Sequence, residues 1–229
     1  MASAVLAIEA SQRAMGVAIR ATPGAPIDAL EVPPSTDSED HLMQVIDAAC
    51  RGAGVSPAGI AAIAVSIGPG GFTGLRVACA TAKAIADVTG CALVAVPSAL
   101  VVARECVRAG AIGDGACTVA LASKAHDAWC TPVDVKGGMP SGAGGALLSG
   151  DGAPLRGALI ADAHVPAALA ARFTEGCIRA RWSAAACLEV GEFLRAEGQE
   201  IDPLALAPLY PRPPEAVSLW EARHGGKVR

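Results

Sequence analysis

Aromatic residues are nearly missing from this chain: Phe, Trp and Tyr make up 3% of its 229 residues, against 52% for the apolar set as a whole. Ala and Val carry most of that apolar content. This predicts a core of small side chains that let backbones approach closely, not one built round a few large anchors. No block of like charge occurs and the formal net charge is −4, so the basic footprint of a free-standing nucleic-acid binder is absent. No apolar run reaches the ~20 residues of a membrane span. The opening M-A-S-A-V-L-A-I-E-A has no basic segment and meets Glu9, which excludes a signal peptide and leaves a soluble, cytoplasmic protein as the expectation. The eight cysteines, at 50, 79, 91, 106, 117, 130, 177 and 187, include no C-x-x-C, and the four histidines form no H-E-x-x-H. The usual zinc spacings are therefore missing, and the thiols read as small buried apolar groups in a reducing compartment.

What is present is alternation. Apolar runs of strand length stand at 4–8, 15–19 and 27–32, the first two as a hairpin. Leu42, Val45, Ile46 and Ala49 recur at helical spacing, with a cap expected among Ser35 to Ser38, Glu39 and Asp40 in the first turn, and a stop at Gly52 or Gly54. A buried strand at 60–67, a helix from Phe72 to Thr89 stopped by Gly90, a strand at 92–96 and a helix from 98 to about 109 follow. The second half restarts with strands at 118–122 and 128–135, a glycine-dense stretch at 137–157, a strand at 158–162 and a helix at 184–197. A proline-rich tail and a last short helix near 215–223 close the chain. The pattern predicts an α/β fold with a weak internal duplication. The boundary falls near residues 100–110 and divides 1–105 from 106–229, the last segment being free to pack back on the first lobe.

The segment S-I-G-P-G-G-F-T-G-L-R-V, 66–77, places four glycines and a proline before a helix. It is not a Walker A loop, for no lysine follows, and G-x-G-x-x-G fails at Thr73. A looser match through Gly68, Gly70 and Gly74 lacks the acid that would hold a ribose. Tight turns and close backbone packing explain the glycines without a phosphate.

G-P-G-G-F-T-G-L-R (68–76) closely resembles the G-P-G-S-F-T-G-L-R signature of the TsaB family, also called YeaZ, with Gly71 as the one change. L-A-I-E-A-S (6–11), the approach at 54–66, V-A-V-P-S-A-L (94–100) and L-A-P-L-Y-P-R (206–212) also resemble family segments. The resemblance covers about residues 1–105, with an echo in the tail. It implies a two-lobed actin-like, Hsp70-like (ribonuclease H-like) α/β fold, mixed sheets flanked by helices. It also implies a non-catalytic partner of TsaD, an ATP- and metal-dependent homologue that, with TsaE, puts a threonylcarbamoyl group on the adenosine next to the anticodon of tRNAs reading codons that start with A. No cofactor is then expected on this chain alone. The implied partner surface is a helix pair carrying Leu42, Ile46 and Ala49 on one helix and Gly68, Pro69, Gly70, Gly71, Phe72, Thr73, Gly74, Leu75, Arg76 and Cys79 on the loop and second helix. Spacing alone assigns these apolar faces to the core; a helix can also present opposite faces to core and partner. A surface suited to a homologous partner suits a second copy too.

The departures are specific. Glu9 stands for the family's opening aspartate and Ala10 for the threonine beside it, which argues against independent ATP hydrolysis; a salt bridge or surface charge is the plain alternative for Glu9. S-E-D-H-L (38–42) replaces H-S-E-x-L, with Ser38 in the histidine's place. A-S-K-A-H-D-A-W (122–129) is a reduced form of D-A-R-x-x-E-V-Y. The competing reading is an ATPase or small-molecule kinase using the cleft between lobes, with Glu9, Ser11 and Asp114 as candidates. A protease lacks a nucleophile–base pair.

Overall fold

The computed structural model describes residues 2–32, 41–123, 126–153, 155, 157–212, 220, 223 and 224. The first apolar runs form β1 (Ala4–Glu9), β2 (Met15–Arg20) and β3 (Asp28–Val32). β1 and β2 pair antiparallel with Ile8 opposite Val17, and β3 continues the meander on β2. β4 (Ile60–Gly68) and β5 (Ala92–Pro97) add in parallel, giving the order β3-β2-β1-β4-β5. β1 is buried along its whole length, as befits a central strand covered on both faces.

Leu6, Ile8 and Ile63 point to one side of this sheet, where α1 (Leu42–Gly52) and α2 (Phe72–Thr89) lie. Helix α1 seats Leu42, Ile46, Ala49 and Cys50 and α2 seats Leu75, Ala78, Cys79, Ala82 and Ala86; each large aliphatic side chain removed from water contributes ~1.5–3 kcal/mol. The α2 helix stops at Gly90, whose amide donates to the Ala86 carbonyl. The expected cap of α1 among Ser35–Ser38, with Glu39 and Asp40, lies outside the described residues; the described helix begins at Leu42, after a His41 that makes no capping bond.

Val5, Ala7 and Val94 point to the other side, into a core shared with the second sheet. Between the sheets lie α3 (Ser98–Arg108) and α5 (Ala184–Ala196). Arg104 and Arg108 of α3 both donate to the Glu189 carboxylate of α5 at 2.7 Å. Ser183 caps α5 by accepting from the Ala186 amide, while its hydroxyl donates to Glu105 at 2.5 Å.

The second sheet pairs β6 (Gly115–Ala122) and β7 (Asp127–Lys136) as an antiparallel hairpin, with β10 (Ala158–Ala161) parallel to β6. The glycine-dense stretch holds β8 (Met139–Ser141) and β9 (Ala146–Ser149), both antiparallel to β7. A short α4 (Ala167–Ala170) and β11 (Cys177–Arg179), parallel to β10, complete it. Two mixed sheets flanked by helices, the first a three-strand meander extended by parallel crossovers, form the two-lobed actin-like α/β fold that the family resemblance implies. The helix expected near 215–223 falls outside the described residues, apart from Trp220 and Arg223.

Candidate functional site

The glycine loop lies between the end of β4 and the first turn of α2, and it presses on the end of β1. The Gly71 amide donates to the Ser11 carbonyl at 2.7 Å. A Cβ on Gly70 would sit on that same carbonyl oxygen, and one on Gly74 would sit on the carbonyl oxygen of Ala10. No side chain fits between two backbones at that separation, so glycine at 70 and 74 is what allows α2 to start against β1. The bare backbone is thus explained by packing inside the lobe, and one of its amides already has a protein partner.

Beneath the loop lies a sealed polar cluster. Glu9 is 2% exposed, and its Oε1 accepts from the Ser11 amide at 2.8 Å while Oε2 has no partner. The Ser11 hydroxyl is buried and unpartnered, and the Ser66 and Ser98 hydroxyls bond each other at 2.9 Å. Cys187 of α5 points its thiol at the Ile8 carbonyl. Burial pushes the Glu9 carboxyl above its usual range; the bond from the Ser11 amide and the nearby Ser11 and Ser66 hydroxyl dipoles, which make no hydrogen bond to it in this geometry, oppose this, and the charge of Glu31 adds to it. Neither a surface charge nor a salt bridge, the plain expectations for Glu9, describes it: it is a buried acid with no cationic partner among the described residues. Of the candidate trio, Glu9 and Ser11 are neighbours. Asp114 is not with them. It lies exposed at the far end of the second sheet and accepts the Gly137 and Gly138 amides, which hold the turn after β7.

The residues singled out for a partner divide sharply. Leu42, Ile46, Ala49, Leu75 and Cys79 are at most 5% exposed and belong to the core under the helices. Gly68 and Pro69 are buried too, and Gly74 is half-buried. Only Gly70, Gly71, Phe72, Thr73 and Arg76 are exposed. The helical period therefore marks the face turned to the sheet. On the outer face, Met43 and Val88 stand out at 55% and 85% exposure. They flank a groove of about 590 Å³ between α1 and α2, floored by Ile46, Cys50, Ile60 and Ile85. Sequence reasoning missed Met43 and Val88. The signal was there: each is an apolar residue off the buried stripe of its helix. At the other end of α2, Phe72 is half exposed and carries the Arg76 guanidinium 3.5 Å from its ring centroid.

No cluster of metal-ligating side chains occurs among the described residues. Burial pushes the Cys79, Cys117 and Cys130 thiols up to about 11, which holds them as unreactive thiols. No helix among the described residues is long and apolar enough to cross a membrane.

This geometry defines first a class: a two-lobed actin-like α/β protein whose glycine loop is closed on its own strand and whose paired outer helices frame a largely apolar groove edged by the Asp47–Arg51 ion pair. Within that class the chain has the fold of YeaZ. YeaZ from Pseudomonas aeruginosa superposes with a TM-score of 0.77 at 19% identity, over 91% of this chain and 99% of that one. A protein described as having similarity to peptidase YeaZ, from Pseudomonas aeruginosa, superposes with a TM-score of 0.76 at 19% identity, over 92% and 100%. The family model for TsaD, tRNA N6-adenosine threonylcarbamoyltransferase, matches residues 33–126, less than half of the chain but the part that holds α1, the glycine loop and α2. No curated protein matches in sequence. The TsaB (YeaZ) resemblance carried by the glycine-loop motif is borne out by this family model and by the fold.

Proposed function

We propose that this chain is a TsaB-type subunit that has no chemistry of its own and binds and activates TsaD for threonylcarbamoylation of the adenosine next to the tRNA anticodon. The observation that carries the reading is the α1–α2 groove with Met43 and Val88 exposed at its rim, on a chain with the YeaZ fold. An apolar face of this kind fits the helices of a partner, while the neighbouring glycine loop is used up in internal packing. On this reading ATP and metal belong to TsaD, TsaE joins the same assembly, and tRNA is met through the complex, which suits a chain of net charge −4. Alone, the same face suits a two-fold homodimer.

An independent ATPase or kinase has less support. Its candidate acid is sealed in the core, and Asp114 lies apart from it.

Light scattering on size-exclusion peaks, with this chain alone and mixed with TsaD of the same organism, tests the reading. A one-to-one complex that Met43→Glu abolishes, with the monomer still folded, is the expected result. No complex in the presence or absence of ATP would overturn it.

A further inference from the structure

After α5 the chain does not leave the molecule. The Ile201 amide donates to the Leu93 carbonyl at 2.9 Å, on the edge of the first sheet. Leu206 is 1% exposed and joins the core beneath α1 and α2. The Leu209 amide donates to the Ile67 carbonyl at 2.7 Å, just before the glycine loop. Tyr210 accepts from Arg76 Nε at 2.9 Å, and its ring lies 5.3 Å from that of Phe72. Two residues on, Arg212 pairs with Asp127, the first residue of β7 in the other sheet.

We propose that residues 201–212 are a strap that latches the glycine-loop end of the first sheet to the β6–β7 hairpin of the second through the Arg212–Asp127 pair. The two attachments are unequal, and that makes the device a latch. The hold on the first sheet consists of two backbone hydrogen bonds, a fully buried leucine and an aromatic–guanidinium stack. The hold on the second is one ion pair whose side chains are 42% and 28% exposed. Partly exposed pairs are weak, so this link opens first and leaves the rest of the strap seated. While closed, it couples the hairpin end, where the Ser123 amide bonds the Asp127 carbonyl, to the exposed Phe72–Arg76–Tyr210 surface. Whatever binds at either end changes the other by the same factor, because such coupling is reciprocal.

Amide hydrogen exchange on the full chain reads this directly, at Ser123 for the hairpin and Leu209 for the strap. Asp127→Arg should speed exchange at Leu209, and Arg212→Asp at Ser123, each by roughly two- to fivefold, the range set by a partly exposed ion pair. The charge-swapped double variant should return both amides toward the wild-type rate. If a substitution in one sheet leaves the amide across the strap at its wild-type rate, or if the double variant is no slower than the singles, the latch is overturned. Asp127→Asn, which removes the charge and keeps the shape, carries the same expectation if a reversed charge prevents folding.

Discussion

The glycine loop and the α1–α2 groove are adjacent, and they use opposite means. The loop is nearly free of side chains, and its backbone lies against the Ala10 and Ser11 carbonyls. The groove is rich in side chains, and its rim residues Met43 and Val88 lie in solvent. Close backbone contact with a fixed neighbour is architecture. An exposed apolar rim with nothing over it among the described residues is the kind of surface that marks recognition. The sequence feature that catches the eye is thus the one that builds the lobe, and the less conspicuous one is the candidate site.

The sharpest way to break this contrast is to put a side chain into the loop. Gly74→Val has no room for its Cβ against the Ala10 carbonyl, and over-packing against fixed backbone costs ~1–3 kcal/mol or more. It also places a β-branched residue in the first turn of α2. We expect the variant to be unfolded or severely destabilised in urea titrations. A wild-type midpoint would show that the loop has slack and would restore a ligand as the reason for its glycines.

The next effect belongs to the core face of α2. Leu75→Ala, at a position 0% exposed, should lower unfolding free energy by ~2–5 kcal/mol. If Leu75 instead served a partner, the isolated chain would lose little stability.

Glu9 gives a smaller, pH-dependent effect. Burial raises its carboxyl in the folded state above the ordinary value of 4.5. The folded protein therefore holds a proton that the unfolded chain has released. This contribution is complete below the ordinary value and is lost as pH rises through the raised one. Wild-type stability relative to Glu9→Gln should therefore fall as pH is taken upward from about 4.5, and the variant should be the more stable of the two above that window. Parallel stability–pH curves for the two proteins would show that Glu9 is ionised at no cost, and the sealed cluster would need a partner not yet identified.

Much of the first lobe was legible because its elements are long and its signals agree. β1, β2, β4 and β5 are unbroken apolar runs, and α2 ends at the glycine expected to end it. In the second lobe β8, β9, β11 and α4 span three or four residues each, too few to show a period, and β8 and β9 lie in a stretch that reads as turn because of its glycines. For Glu9 the sequence leaves a salt bridge or surface charge open as the alternative, because a residue type alone does not tell a buried acid from an exposed one. Its place at the end of a strand buried on both faces decides otherwise. The residues expected on a partner surface were drawn from the same helices, and most of those on the helices lie buried in this chain. Helical periodicity picks out Leu42, Ile46, Ala49, Leu75 and Cys79, and for a helix lying on a sheet periodicity means burial. On the proposed function, the residue left for a partner is the apolar one that breaks the pattern.

Val88→Glu tests that last statement with the smallest effect on the fold. Val88 is 85% exposed, and a substitution at such a site changes stability by about 0.5 kcal/mol or less. Below it the groove is floored by buried side chains such as Ile46 and Cys50, where a charge could not be placed without unfolding. The expected outcome is an unfolding curve that overlies wild type together with loss of the TsaD complex in the light-scattering assay, because a carboxylate at the rim would have to be desolvated against an apolar partner. If the complex survives Val88→Glu and Met43→Glu alike, while Phe72→Ala dissolves it, the recognition surface is not the groove. It is then the N-terminal end of α2, where Phe72, Arg76 and Tyr210 stack, and the division between architecture and recognition runs along the helix rather than between its two faces.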